Sequence, residues 1–169
     1  MASIKPLIMR ANRLLGATLV GQELVSIDDL DEANERLAEL MGSQSQSHQV
    51  SLLSILVNEK QVLSEDQLLD ILLEEHGLGL IDLSNIDFAP ELRETLDLKV
   101  CWATLTVPFD LMEDTVYLAT SYYLSPAVRT HWQEMFNKNV VWYASTVDSI
   151  MRFLEGCDDA SVPSIAGNN

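Results

Sequence analysis

The side chains that carry chemistry are few and scattered in this 169-residue chain. His48, His76 and His131 do not fall at metal-ligand spacing. His76 follows Glu74 and Glu75, but a histidine that closes an acidic helix is explained more simply by the helix dipole than by a bound metal. Cys101 and Cys157 lie too far apart in sequence for a zinc or redox pair, so reduced structural thiols are expected. Ser26 and Ser64 each stand near acids, yet capping accounts for both, and no GxSxG elbow occurs. There is no GxxxxGK(S/T) phosphate loop and no GxGxxG. With no nucleophile–base pair to nominate, the sequence predicts no catalytic residue and no metal site, and a hydrolase is disfavoured.

What the chain does carry is one helical signature written twice. Leu14-Leu15-Gly16, Leu19-Val20, Leu24-Val25-Ser26, Asp28 and Leu30 reappear 38 residues later as Leu52-Leu53-Ser54, Leu56-Val57, Val62-Leu63-Ser64, Asp66 and Leu68. A constant offset over so many apolar positions predicts a duplicated supersecondary unit. Each copy reads as an apolar helix, a tight turn and a second helix opened by a serine cap. Residues 3–14 are expected to form a short amphipathic helix, with Gly16 and Gly21 loosening the chain after it. Ser26 and Asp29 form one capping box, Ser64 and Gln67 a better one. Ile27, Leu30, Ala33, Leu37 and Leu40 form the expected inner face of the helix ending near Gly42. Leu68, Ile71 and Leu72 do the same before Gly77. Leu30 and Leu68 are expected to be buried equivalently, as are Val25 and Leu63. Ser43 to Ser47 reads as a polar linker.

Beyond residue 80 the pattern changes. Segment 78–83 is extended, and Pro90 to Leu96 reads as a short acidic helix. Cys101 to Val107 has β-type composition and is expected to be a strand ended by Pro108. Val116 to Ala119 is a second strand, Pro126 opens a helix to about Asn137, and Asn139 to Ala144 is a third strand. Thr146 caps a last helix. The fold class is therefore α+β. Residues 1–80 form two tandem helical hairpins, residues 81–156 a small α+β module of about three strands, and residues 157–169 a flexible tail. Trp102, Trp142 and Tyr143 are expected in strands and core. Tyr122 and Tyr123, in the loop after the second strand, are the aromatic candidates for a surface contact.

A net charge of −16 disfavours nucleic acid, whose phosphates need a basic stripe. The 47% hydrophobic content suits a globular domain, no apolar run is long enough to span a bilayer, and a cytoplasmic location is expected. The charge is uneven. Lys5, Arg10 and Arg13 precede an acidic stretch containing Asp28, Asp29, Asp31, Glu32, Glu35 and Glu39. The basic segment has an apolar side of Ile4, Leu7 and Ile8. It is expected to fold back on its own acidic surface first, and to contact an acidic partner or anionic membrane second.

The order of these motifs resembles a known family. Leu-Gly-x-x-Leu-Val is followed by apolar-apolar-Ser-x-x-x-Leu and a second copy of that pattern. Then come His76-Gly77-Leu78-x-x-Ile81-Asp82-Leu83, Val107-Pro108, Val116-Tyr117-Leu118-Ala119-Thr120, Leu124-Ser125-Pro126 and Ser145 to Ile150. Over residues 12–155 this is similar to the N-terminal domain of type II secretion and type IV pilus assembly ATPases, the GspE N-terminal or MshEN domain. The resemblance implies a module without the ATPase core. It implies two kinds of work: docking onto a secretion, pilus-platform or signalling protein, peripheral to the inner membrane through that partner, or binding cyclic di-GMP. The ligand motif of the family is Arg-Leu-Gly, a later Gly and a closing Gln, in two copies. Its arginines fall on Leu14 and Leu52, its later glycines on Glu23 and Gln61, and its closing glutamines on Leu37 and Glu75. Only Leu15, Gly16 and Leu53 match, with Arg13 one position early. The nucleotide-binding candidates are thus Arg13, Leu15, Gly16 and Leu53. The partner-binding candidates are Lys5, Arg10, Arg13, Tyr122 and Tyr123. The expected role is a non-catalytic interaction or regulatory module with no obligatory cofactor, the alternative being a cyclic di-GMP receptor with a degraded motif.

Overall fold

The first helix, α1, runs unbroken over Lys5–Gly21 in a computed structural model that describes residues 4–42, 51–86, 88 and 90–161. Gly16 therefore does not loosen the chain. It lets α1 approach the next helix, because a Cβ there would meet Leu30 Cδ2 at 2.9 Å. α2 spans Ile27–Gly42, and its Asp29 amide donates to Ser26 Oγ at 3.1 Å, as the capping box requires. Ala33 and Leu37 face the core, whereas Ile27 is 63% exposed and Leu30 only half-buried over Gly16. Leu68 is fully buried, so Leu30 and Leu68 are not equivalent, although Val25 and Leu63 are.

The second unit starts with α3, a helical turn Leu52–Ser54 that widens into a π turn Ile55–Glu59. α4 does likewise, Glu65–Asp70 continuing as Ile71–Glu75, and begins with the Gln67 amide donating to Ser64 Oγ at 3.4 Å. Gly77 at φ +70° turns the chain out of it. The expected linker Ser43 to Ser47, and the start of the second unit at Val50, lie outside the described residues.

The remaining elements are strand β1 (Gly79–Leu80), a 3₁₀ turn Leu83–Asn85, α5 (Pro90–Thr95), α6 (Leu98–Thr104), β2 (Thr106–Met112), β3 (Thr115–Thr120), α7 (Pro126–Phe136), β4 (Asn139–Ala144) and α8 (Val147–Ser161). Four strands form one sheet in the order β1-β4-β3-β2, with β2 antiparallel to β3 and the other pairs parallel. The fourth strand is the two-residue β1, drawn from the segment read as extended. The expected strand at Cys101 is instead helix α6. Asp97 Oδ1 accepts from the Lys99 amide at 3.1 Å and opens it, and Leu105 ends it at φ 38°. Trp102 is core, as expected, but on a helix. Pro108 does not end β2, because β2 is an edge strand where a missing N–H breaks no ladder, and a bulge follows between Pro108 and Asp110. α8 continues past residue 157 to Ser161 with Cys157 buried, and the rest of the expected tail lies outside the described residues. Cys101 and Cys157 are both buried and neither is in a disulfide among the described residues, and burial pushes the Cys101 thiol far up.

One hydrophobic core joins Leu15, Leu53 and Leu72 from the hairpins with Trp102, Leu118, Trp132 and Ile150 from the sheet layer. Polar contacts cross the same boundary. Tyr122 is completely buried, so it is no surface contact. Its hydroxyl accepts from the Leu53 amide at 3.2 Å and donates to Asn12 Oδ1 at 2.8 Å. In the other direction the Glu65 carboxylate, on α4, accepts from the Val147 amide at 2.7 Å and caps α8. Ser125 Oγ donates to the Ala11 carbonyl at 2.8 Å, and Thr18 Oγ1 lies 3.2 Å from the Leu124 carbonyl.

Burial holds the Glu65 carboxyl above its ordinary value of 4.5. The Val147 amide pulls it down by less than that, and Asp148 and Asp66 push it up further. A raised folded value means the folded chain holds this proton more tightly than the unfolded chain. The stability it contributes is full below about 4.5 and is lost as pH rises through the higher folded value. Glu65→Gln keeps an acceptor without the charge. Urea unfolding should therefore show that wild type loses stability relative to Glu65→Gln as pH rises above that point. A difference between the two that stays constant with pH would contradict this.

Candidate functional site

The face where α1 crosses α2 gathers most of the site residues that the sequence nominates. A groove of about 720 Å³ lies between the two helices. On the α1 side it is lined by Lys5, Met9, Arg13 and Gly16, spaced so that they share one helical stripe, with Arg10 and Asn12 beside them. The α2 side is Leu30, Asn34, Leu37, Ala38 and Met41, again one stripe. Met9 is 72% exposed and Met41 37%.

α2 divides its charge. Its groove stripe carries no ionised side chain. Glu32, Glu35, Arg36 and Glu39 project instead toward the second hairpin. There Arg36 Nε meets Glu59 at 2.7 Å, and Lys60 Nζ meets Glu32 at 2.9 Å. These exposed pairs raise the Arg36 and Lys60 values through the hydrogen bonds to Glu59 and Glu32, and are worth little stability individually. Arg10 and Arg13 form no ion pair among the described residues. Neither arginine therefore pairs with the acidic surface of the chain. The basic segment is part of α1, and Ile4 and Leu7 seat it by packing on the core.

The nominated nucleotide-binding residues do not converge. Arg13 is exposed in the groove, and Gly16 is covered by Leu30. Leu15 and Leu53 are fully buried in the core, so both serve packing. Leu52, where the second arginine of the motif falls, is also completely buried. Tyr123 is half-buried, edge-on to His76 at 5.2 Å and to Trp142 at 5.8 Å, with the Arg129 guanidinium 4.9 Å above its ring. It lies in a separate aromatic cluster and is not among the groove-lining residues. Lys5 and Arg10 are exposed on the groove. Met9, Asn34, Ala38 and Met41 also line the groove, none of them being a site candidate from sequence. The available signal was a neutral stripe at i, i+4, i+7 on an otherwise acidic helix.

A second depression of about 920 Å³ lies between segment 80–86 and α8. Its Arg152 is paired with Asp148 at 3.0 Å, and it presents no catalytic grouping. Among the described residues no three His, Cys, Asp or Glu side chains are placed to hold a metal ion, and no helix is long and apolar enough to cross a membrane.

The two motif-glycine positions are the most informative part of the backbone. Glu23 has φ 59° and Gln61 φ 56°, both left-handed, in equivalent turns of the two hairpins. The turn geometry that suits glycine is present without glycine.

Tandem helical hairpins followed by this four-stranded mixed sheet define the GspE N-terminal, or MshEN, domain fold. MshE, solved with cyclic di-GMP (cdg), has this fold at TM-score 0.50 and 18% identity, over 84% of this chain and 96% of that one. The N-terminal domain of XpsE has it in two crystal forms. The first gives TM-score 0.53 and 16% identity over 86% of this chain and 94% of that one. The second gives 0.51 and 16% over 85% and 93%. No family model and no curated protein matches the chain. At these identities the likeness is one of fold.

Both left-handed residues are exposed, so their side chains give up no packing when removed. Gln61→Gly should stabilise by about 1 kcal/mol, the cost of holding an L-residue left-handed less the extra chain entropy of glycine. Thermal unfolding should rise by about 2–4 °C, and Glu23→Gly should behave alike. A lowered midpoint in both would contradict the turn geometry.

Proposed function

We propose that the chain is a non-catalytic protein-interaction module on the MshEN fold, working on the cytoplasmic side and reaching the membrane through its partner. The observation that carries this reading is the burial of Leu52 at the second arginine position. No cationic donor stands there, and the first copy offers only half-buried Leu14 with Arg13 beside it. A dianionic ligand requires charge-assisted donors, often bidentate, and would meet the exposed acids Glu23 and Glu75 instead. The fold is intact around these changes, and folds host sites rather than dictate them. No nucleophile–base arrangement is nominated by the sequence or by the groove.

A competing reading is a cyclic di-GMP receptor. It is favoured by the cyclic di-GMP complex of MshE, a protein of this fold, and by Arg13 and Gly16 lining the α1–α2 groove. Calorimetric titration with cyclic di-GMP separates the two. The interaction reading predicts no heat beyond dilution at high ligand concentration. Micromolar binding that Arg13→Ala and Gly16→Ala both weaken would replace it with the receptor reading.

A further inference from the structure

We infer that the α1–α2 groove is the docking site for an acidic amphipathic helix of a partner protein. This rests on the interaction reading above and names the surface and the chemistry of what it takes. The floor is apolar and adaptable, built from Leu30, Leu37, Met9 and Met41, and methionines repack around differing side chains. From Lys5 to Gly16 the α1 wall is about 17 Å long, room for about three turns of a helix laid in the groove. The rim supplies the charge. Of the ten Lys and Arg residues in the chain, Lys5, Arg10 and Arg13 line this one groove. Arg36, Lys60 and Arg152 are engaged by carboxylates and Arg129 by Tyr123; Arg10 and Arg13, like Lys99 and Lys138 elsewhere on the chain, form no ion pair among the described residues. On a chain of net charge −16 this is a local reversal of sign beside an exposed apolar stripe. A bilayer fits less well. The groove is concave, and three cations are few for attachment.

The probe is a synthetic amphipathic helical peptide with leucines on one face and glutamates flanking them. Its partner control has every glutamate replaced by lysine. Fluorescence anisotropy with the full chain should show the acidic peptide binding and the lysine control not binding. Arg10→Glu with Arg13→Glu should weaken the acidic peptide about tenfold or more, from two reversed rim charges. Ala38→Glu, an exposed helix position that tolerates glutamate, should abolish binding while leaving the melting temperature unchanged. No binding of the acidic peptide, equal binding of both peptides, or indifference to Ala38→Glu overturns the proposal. So does uptake onto phosphatidylglycerol vesicles that the double arginine reversal removes, which would assign the face to a membrane. Quantitative affinity capture from native cells with wild type and Ala38→Glu separates this from the broader reading. A protein retained equally by both sinks the groove and leaves the interaction module standing. Capture of none by wild type sinks the module reading itself.

Discussion

Two helix starts in this molecule are each capped by a side chain from the other part of the chain. The first amides of a helix have no partner within it and must find one. The Leu53 amide at the start of α3 finds the Tyr122 hydroxyl from the loop after β3. The Val147 amide at the start of α8 finds the Glu65 carboxylate from α4. Burial pushes the Tyr122 hydroxyl up to about 12, so it stays protonated and passes its own hydrogen to Asn12 on α1. A neutral buried donor and acceptor in one network is strong because every member is satisfied. Asn12 lies beside the groove, so the interaction that joins hairpins to sheet also fixes the wall of the candidate docking site.

The surface follows from that frame. With α1 held from behind by Asn12, Ala11 and Thr18, its outer stripe is free to present Met9 and Arg13. Gly16 sets how closely α2 approaches, and α2 turns its acids toward Lys60 and its neutral stripe toward the groove. The turns at Glu23 and Gln61 are both left-handed, so the two hairpins share one turn geometry.

Local signals made much of this legible in the sequence. Serine and threonine caps mark the starts of α2, α4 and α8, the acidic turn Glu113-Asp114 marks the start of β3, and Val140, Val141, Trp142 and Tyr143 mark β4, because those signals act within a few residues. The doubled apolar pattern located both hairpins. Trp102 misled because its β propensity was overruled by the Asp97 cap and by packing at α6. Tyr122 misled because a loop position suggests exposure, and its two partners lie far away in sequence. Gly16 was misread as a loose point because the meaning of that glycine lies in Leu30 on another helix. The groove was half visible. Its arginines stood out by charge, but the stripe Asn34, Ala38 and Met41 has significance only once α1 is seen beside it.

The central claim is that hairpins and sheet form one body whose rigidity presets the α1–α2 groove. Amide hydrogen exchange on wild type and Tyr122→Phe tests it most directly, since the variant removes one oxygen from a buried network and nothing else. The account predicts that protection falls together in α1 around Asn12 and in the first turn of α3, on both sides of the lost hydroxyl. Loss confined to the loop holding residue 122, with α1 and α3 protected as before, would contradict it.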